Sequence, residues 1–418
     1  MNIKKLLKEI DFSCPEEDVN TIKEESKRIV NLIREGLKKK KLKAEVFIGG
    51  SFAKGTLVRS KDYDVDIFVR FEDGENISNK LEKSLLKNKL GKVDKIHGSR
   101  DYFAIKQGKF VFEIIPVKKI SKPKEMENVT DISYFHVNYA KRKINKKLAR
   151  EIAIAKAFCK AHGIYGAESY IQGFSGYALE CLIIHYKTFE KMIRELVKVK
   201  DQLILDPEKM YKKQQDIKVN INQSKLQSPV VLVDPTWKER NVLAALSRET
   251  FEKFQKAGIN FLKNPNESHF EIKKINLEDI KKKARGKEFV NILITTDRQE
   301  GDIAGTKMKK FSEFLIVEMK KYFDIEMKEF VYDEKKTAEL FVIAKSKKEI
   351  VRNGPPADFN LKKAVESFKR ANKNVFEKDG RLYARIKINF TLSEFMRNFS
   401  KKETQKIKEM GITNFVVI

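Results

Sequence analysis

The stretch IGGSFAKGTLVRSKDYDVDIFVRF, residues 48–71, combines a short apolar strand end, a Gly-Gly-Ser turn, a basic polar connection and a second strand with two aspartates. Alternation through Asp64, Val65, Asp66, Ile67, Phe68 and Val69 puts both carboxylates on one face of that strand, because side chains repeat with period two. Carboxylates so close repel one another unless a cation sits between them. Two divalent ions held this way can clamp the attacking and leaving oxygens of a phosphoryl displacement. Glycines before a short helix let the backbone approach a phosphate, so Gly50 and Ser51 are the candidate phosphate cradle.

Further along, Tyr102–Gln107 and Phe110–Val117 pair as a hairpin across Gly108-Lys109. Glu113 is a lone acid in that second apolar strand, costly to bury without a partner. It reads as a third metal-coordinating carboxylate, placed to help take the proton of an attacking hydroxyl; a strand-edge glutamate facing water is the alternative. Turn and paired acids, in this order and at this separation, resemble the signature of the nucleotidyltransferase superfamily that includes DNA polymerase beta.

At 418 residues the chain is long enough for two to three domains with sizeable cores. Lys and Arg number 87 against 59 Asp and Glu, a net charge of +28 that favours a polyanionic partner. Cys14, Cys159 and Cys181 are isolated, which supports neither a zinc site nor a disulfide framework. With no signal-like or membrane-spanning run, a soluble intracellular protein working in the cytoplasm is expected.

Residues 16–40 carry Val19, Ile22, Ile29, Leu32, Ile33 and Leu37 at helical spacing, an amphipathic helix for the back of the first strand. A polar loop spans 118–130, and helices are expected from Lys146 to a Gly163 cap, over Ala178–Tyr186 and over Val242–Phe254, with a β-branched strand at Val230–Pro235. The lysine-dense segment 273–287 marks a domain boundary. Beyond it a β-α-β-β order (Phe289–Thr295, Lys307–Phe323, Ile325–Tyr332, Ala338–Ile343) suits a small α+β sandwich of the kind RNA-binding domains use. The fold class expected is therefore α+β. A polymerase-beta-like head would span 1–145, a helical central domain 146–272 and a C-terminal α+β RNA-binding part 273–418.

Taken in order, GGS with DYDVD, FEIIP, YFHV, IAKAFCKAHGIYGAESYIQGFSGY and VDPTWKERNVLAALS resemble the archaeal-type (class I) CCA-adding tRNA nucleotidyltransferases. The resemblance is strong over about residues 40–255 and vaguer beyond, where an NGPP turn at Asn353–Pro356 is its best marker. It implies template-independent addition of CCA to tRNA 3′ ends from CTP and ATP, with two Mg²⁺ ions. By motif, Gly50 and Ser51 would hold the triphosphate, while Asp64, Asp66 and Glu113 would bind the metals. His136, Lys156 and Tyr165 would contact phosphates and sugar, and Arg240 would help recognise the base. The family pattern more often has Asp at the third acid, one methylene shorter than Glu113. The C-terminal part would hold the tRNA acceptor arm and T-loop side, and a homodimer is one assembly compatible with the family. A poly(A)- or oligoadenylate-type polymerase and a catalytically weak tRNA-binding protein remain the alternative functions.

Overall fold

The computed structural model describes residues 2–272 and 276–418, which form two compact units, residues 1–167 with 171–273 and residues 168–170 with 274–418. The boundary expected at 273 thus falls on residues outside those described.

The first unit begins with helices α1 (Ile3–Glu9) and α2 (Glu16–Lys39), then strand β1 (Ala44–Ile48), the short helix α3 (Gly50–Ala53) and β2 (Tyr63–Phe71). Helices α4 (Ile77–Ser84) and α5 (Lys87–Leu90) lead into β3 (Asp94–Ile96), β4 (Tyr102–Gln107) and β5 (Phe110–Lys118). These strands form one sheet in the order β1-β2-β5-β4-β3, with β1 antiparallel and β5 parallel to β2. The period-two pattern divides the sheet cleanly. Tyr63, Val65, Ile67, Val69 and Phe71, with Phe110, Phe112 and Ile114, face Ile22, Ile29, Ile33 and Leu37 of α2 and are nearly all out of water. Each such aliphatic burial contributes roughly 1.5–3 kcal/mol. That leaves Asp64, Asp66 and Glu113 on the other face.

A helical layer follows: α6 (Ser133–Lys143), α7 (Lys146–Ala161), α8 (Gly176–Tyr186), α9 (Phe189–Leu196), α10 (Gln214–Asn220) and α11 (Arg248–Lys263). Asn145 and Ser175 cap α7 and α8 by accepting from the amides of Leu148 and Ala178. Its core is phenylalanine-rich: Phe158 lies within 4.6–6.1 Å, ring centre to ring centre, of His162, Phe189, Phe254, Phe261 and Phe270. A small sheet adds β6 (Leu203–Leu205), β7 (Val230–Asp234) and β8 (Trp237–Asn241), every residue of β7 being buried.

The helix expected over Val242–Phe254 instead begins at Arg248, with Ser247 as its cap. The Asn241 carboxamide oxygen accepts from the amides of Leu232 and Leu243, which holds the preceding residues in a turn although Val242, Leu243 and Leu246 are buried. Their apolar spacing is helix-like, but their packing is not helical.

The second unit contains α12 (Leu277–Lys283), β9 (Glu288–Thr295), α13 (Asp302–Lys320), β10 (Phe323–Tyr332) and β11 (Thr337–Ser346), the β-α-β-β order read from the sequence. Next come β12 (Glu349–Pro356), α14 (Lys362–Ala371), β13 (Val375–Lys378), β14 (Arg381–Lys387), α15 (Leu392–Lys402), α16 (Thr404–Glu409) and β15 (Asn414–Val417). Strand order is β10-β11-β9-β15 in one sheet and β12-β14-β13 in the other. The NGPP segment is not a turn. It ends the edge strand β12, whose register slips between Asn353 and Pro356, as suits prolines with no amide to give to a ladder.

Candidate functional site

Parallel pairing of β2 with β5 puts Asp66 directly opposite Glu113 and Asp64 opposite Val111, so the three acids share one face over adjacent positions. Phe68 and Arg70 continue that face but are covered: Phe68 stacks on Phe47 at 5.2 Å, and the Arg70 guanidinium lies 4.0 Å above the ring of Tyr134 on α6. The acids lie on an accessible part of that face, Asp64 being exposed and the other two half-buried. Burial, aggravated by the Asp64 charge and eased by Lys54, pushes the Asp66 carboxyl up to about 6. Burial with the charges of Asp66 and Asp64 pushes Glu113 up to about 7. Tyr102, on the neighbouring β4, adjoins Glu113 and has its own hydroxyl pushed up to about 12 by burial and that carboxylate.

This crowding of oxygen donors fits a hard divalent cation, whose charge would relieve the repulsion. Among the described residues no three His, Cys, Asp or Glu side chains form a ready metal cage.

The Gly-Gly-Ser turn is built against the same acids. The Gly49 amide donates to the Asp66 carbonyl at 2.8 Å, tying the turn to β2. A Cβ on Gly49 would lie 2.2 Å from the Phe68 ring, and one on Gly50 only 1.7 Å from Asp66 Oδ2. Gly50 also has φ +58°, the left-handed region that L side chains rarely adopt. Ser51 follows in α3, its carbonyl accepting from the Thr56 amide at 2.9 Å. Gly50→Ala is expected to displace the Asp66 carboxylate by about an ångström and to lower any activity that depends on it by on the order of a hundredfold. Gly108→Ala, at φ +59° with nothing within 4 Å of the new methyl, is the control for backbone strain alone. Comparing the turnover rates of the two variants checks this.

Three of the other candidates, His136, Arg240 and Lys156, are gathered on two buried carboxylates, Asp234 and Glu180, that spacing in the chain does not single out. Asp234, at the end of β7 and inaccessible to water, accepts from His136 Nε2 at 3.0 Å and Arg240 Nη1 at 2.6 Å through Oδ2. Its Oδ1 accepts from the Tyr177 hydroxyl at 3.2 Å and from the Thr236 amide and hydroxyl at 2.8 Å each. Burial alone would raise the Asp234 carboxyl, but the His136 hydrogen bond with the His136 and Arg240 charges holds it well below the usual carboxylate range. Burial pushes the His136 imidazole down against the pull of Asp234, and the ring stacks on Tyr177 at 3.9 Å. An ionised carboxylate can only accept, so the His136 proton sits on Nε2.

Glu180, equally inaccessible, receives Lys54 Nζ at 2.7 Å on Oε2, and the Thr56 hydroxyl at 2.7 Å and Lys156 Nζ at 3.2 Å on Oε1. Lys156 also donates to the Thr56 carbonyl and hydroxyl, each at 3.0 Å. Burial would raise Glu180, yet Lys54 and Lys156 hold it down at about 2, while burial brings Lys156 down to about 8. Tyr177 and Glu180 stand three residues apart on α8, on one helix face, so a single helix feeds both hubs. A Cβ on Gly176, which heads that helix, would stand a tight 3.0 Å from the Tyr165 hydroxyl and at ordinary contact distance, 3.7 Å, from Lys156 Cε. Tyr165 lies below Lys160 Nζ, 5.2 Å from its ring centre, and Lys160 is the lysine whose charge steadies Asp64. The structure thus joins His136 to Arg240 and brings Lys156 and Tyr165 together around Gly176. It adds Lys54, Thr56, Lys160, Tyr177, Glu180 and Asp234; the spacing of Lys156 and Lys160, one helical turn apart, was the available signal for one of them.

Two family models match the chain, "Nucleotidyltransferase domain" over residues 30–131 and "tRNA nucleotidyltransferase, second domain" over residues 150–271. The CCA-adding enzyme of Nanoarchaeum equitans (strain Kin4-M) is 34% identical over 388 residues, covering 92% of this chain and 94% of that protein. That of Methanocaldococcus jannaschii is 28% identical over 406 residues, covering 92% and 87%. Among solved structures, a cytoplasmic RNA terminal U-transferase matches with a TM-score of 0.49 at 13% identity, covering 66% of this chain and 98% of that one.

Proposed function

Since this chain belongs to the family of the CCA-adding enzymes, we propose that its carboxylate face and Gly-Gly-Ser turn are the centre at which CCA is built onto tRNA. The protein is a nucleotidyltransferase that adds CCA to tRNA 3′ ends without a template, from CTP and ATP. The observation that carries the reading is the pairing of Asp66 with Glu113 across β2 and β5, next to a turn packed on Asp66 itself.

In this reading Asp64, Asp66 and Glu113 would hold the Mg²⁺ ions, two being expected, with Glu113 the carboxylate that would help take the proton of the 3′-hydroxyl. When bound, such ions supply charge stabilisation at the attacking and leaving oxygens. Gly50 and Ser51 receive the triphosphate, with Lys156 and Tyr165 behind them. The tRNA 3′-hydroxyl attacks the α-phosphorus in line and pyrophosphate leaves. Asp234 fixes Arg240 and His136 in one orientation, so that the planar guanidinium is set before a base edge arrives. Chemistry would belong to residues 1–145, nucleotide recognition to 146–272 and the hold on the tRNA acceptor arm and T-loop side to 273–418, through Lys and Arg on phosphates. The site of action is the cytoplasm, where the tRNA is; among the described residues no helix is long and apolar enough to cross a membrane.

Incubating tRNA that lacks its terminal trinucleotide with CTP and ATP tests this. Growth by C, C and A followed by arrest is expected. A long ladder of A, or no growth with any divalent ion, would refute it.

A further inference from the structure

A buried ion pair that only ties two layers together is best neutral, since each unmatched charge keeps its desolvation cost. The Glu180 cluster is not neutral: two ammonium groups, Lys54 and Lys156, share one carboxylate within hydrogen-bonding distance. Lys54 is three residues beyond Ser51, its side chain 9% exposed, and close enough to Asp66 to steady that carboxylate. Thr56 locks the arrangement, giving its hydroxyl proton to Glu180 while its hydroxyl and carbonyl oxygens take two Lys156 protons. The surplus positive charge therefore lies against the turn and the acid face, where a polyanion would be received.

We propose that Glu180 is a positioning residue for the incoming nucleotide. It holds Lys54 and Lys156 as a preset ammonium pair whose excess charge is matched by the triphosphate, an inference that rests on the nucleotidyl-transfer reading of this site. Without the carboxylate the two ammonium groups repel and spread, so the loss falls on triphosphate binding. Among the three acids only Asp66 feels Lys54, so kcat should change far less than KM.

The test is single-nucleotide addition by the full chain carrying Glu180→Gln, with Thr56→Val as the milder variant that keeps every charge. For Glu180→Gln, KM for CTP and for ATP should rise about tenfold or more with kcat within about threefold of wild type. Thr56→Val should show the same split with a rise of about threefold. A merely structural tie would instead lower kcat with the folded fraction and leave KM alone, and that result overturns the proposal. If Glu180→Gln does not fold, Thr56→Val is judged by the same criterion. Equilibrium binding of CTP and CMP separates this from the reading beneath it. Wild type should prefer CTP and the variants should lose part of that preference, whether or not tRNA is extended; an unchanged ratio sinks the Glu180 role. Failure of the wild-type chain to extend tRNA sinks the functional reading instead.

Discussion

Asp66→Ala is expected to lower CCA addition by on the order of a thousandfold while tRNA affinity stays within about twofold. The side chain stands between Glu113, opposite it on β5, and the Gly50 backbone, so no neighbour can take its place. The same substitution should leave the thermal midpoint without added metal unchanged or higher, because it removes one of three crowded carboxylates rather than a packing group. Loss of activity accompanied by loss of stability would mark Asp66 as structural. Filter binding, single-nucleotide addition and thermal unfolding of the one variant decide the matter.

Removing Asp234 should do the opposite and destabilise the fold. Asp234→Ala leaves His136, Arg240, Tyr177 and Thr236 without the fully buried acceptor they share. Breaking a buried pair by deleting one partner costs about 3–5 kcal/mol, measurable as a shift of the urea midpoint. Asp234→Asn, which keeps the shape, isolates the charge. A carboxyl held below its unfolded value, near 3.9, contributes stability that is fully present above that value and is lost as pH falls through the folded one. The gap between wild type and Asp234→Asn should therefore be widest at neutral pH and narrow below about pH 4. A gap that widens on acidification would contradict the assignment of Asp234 as an ionised hub.

How much of this was legible differs from element to element. The alternation through Asp64 and Asp66, the hairpin that carries Glu113 and the amphipathic helix behind them follow from residue spacing, and the structure has all three. Apolar spacing over 242–246 predicts a helix start too early, whereas the Ser247 cap marks the start the chain actually has at Arg248. The NGPP segment suits a turn by its prolines, but prolines suit edge strands equally, and only the sheet shows which neighbour is missing. The glycine pair predicts room for a phosphate; in the folded chain Gly49 and Gly50 make room for the Phe68 ring and the Asp66 carboxylate.

From the order of its residues alone this chain has a two-acid strand face, a Gly-Gly-Ser turn beside it and the motifs of its family. Those features are local, written in bond geometry and side-chain period, so they survive without knowledge of what packs where. The carboxylates that Lys156, His136 and Arg240 settle on came from the folded molecule. Thr56 meets Glu180 across 124 residues of chain and His136 meets Asp234 across 98. A buried charge is matched by whatever the packed helices bring within about 3 Å of it, and no spacing rule in a single chain encodes that meeting.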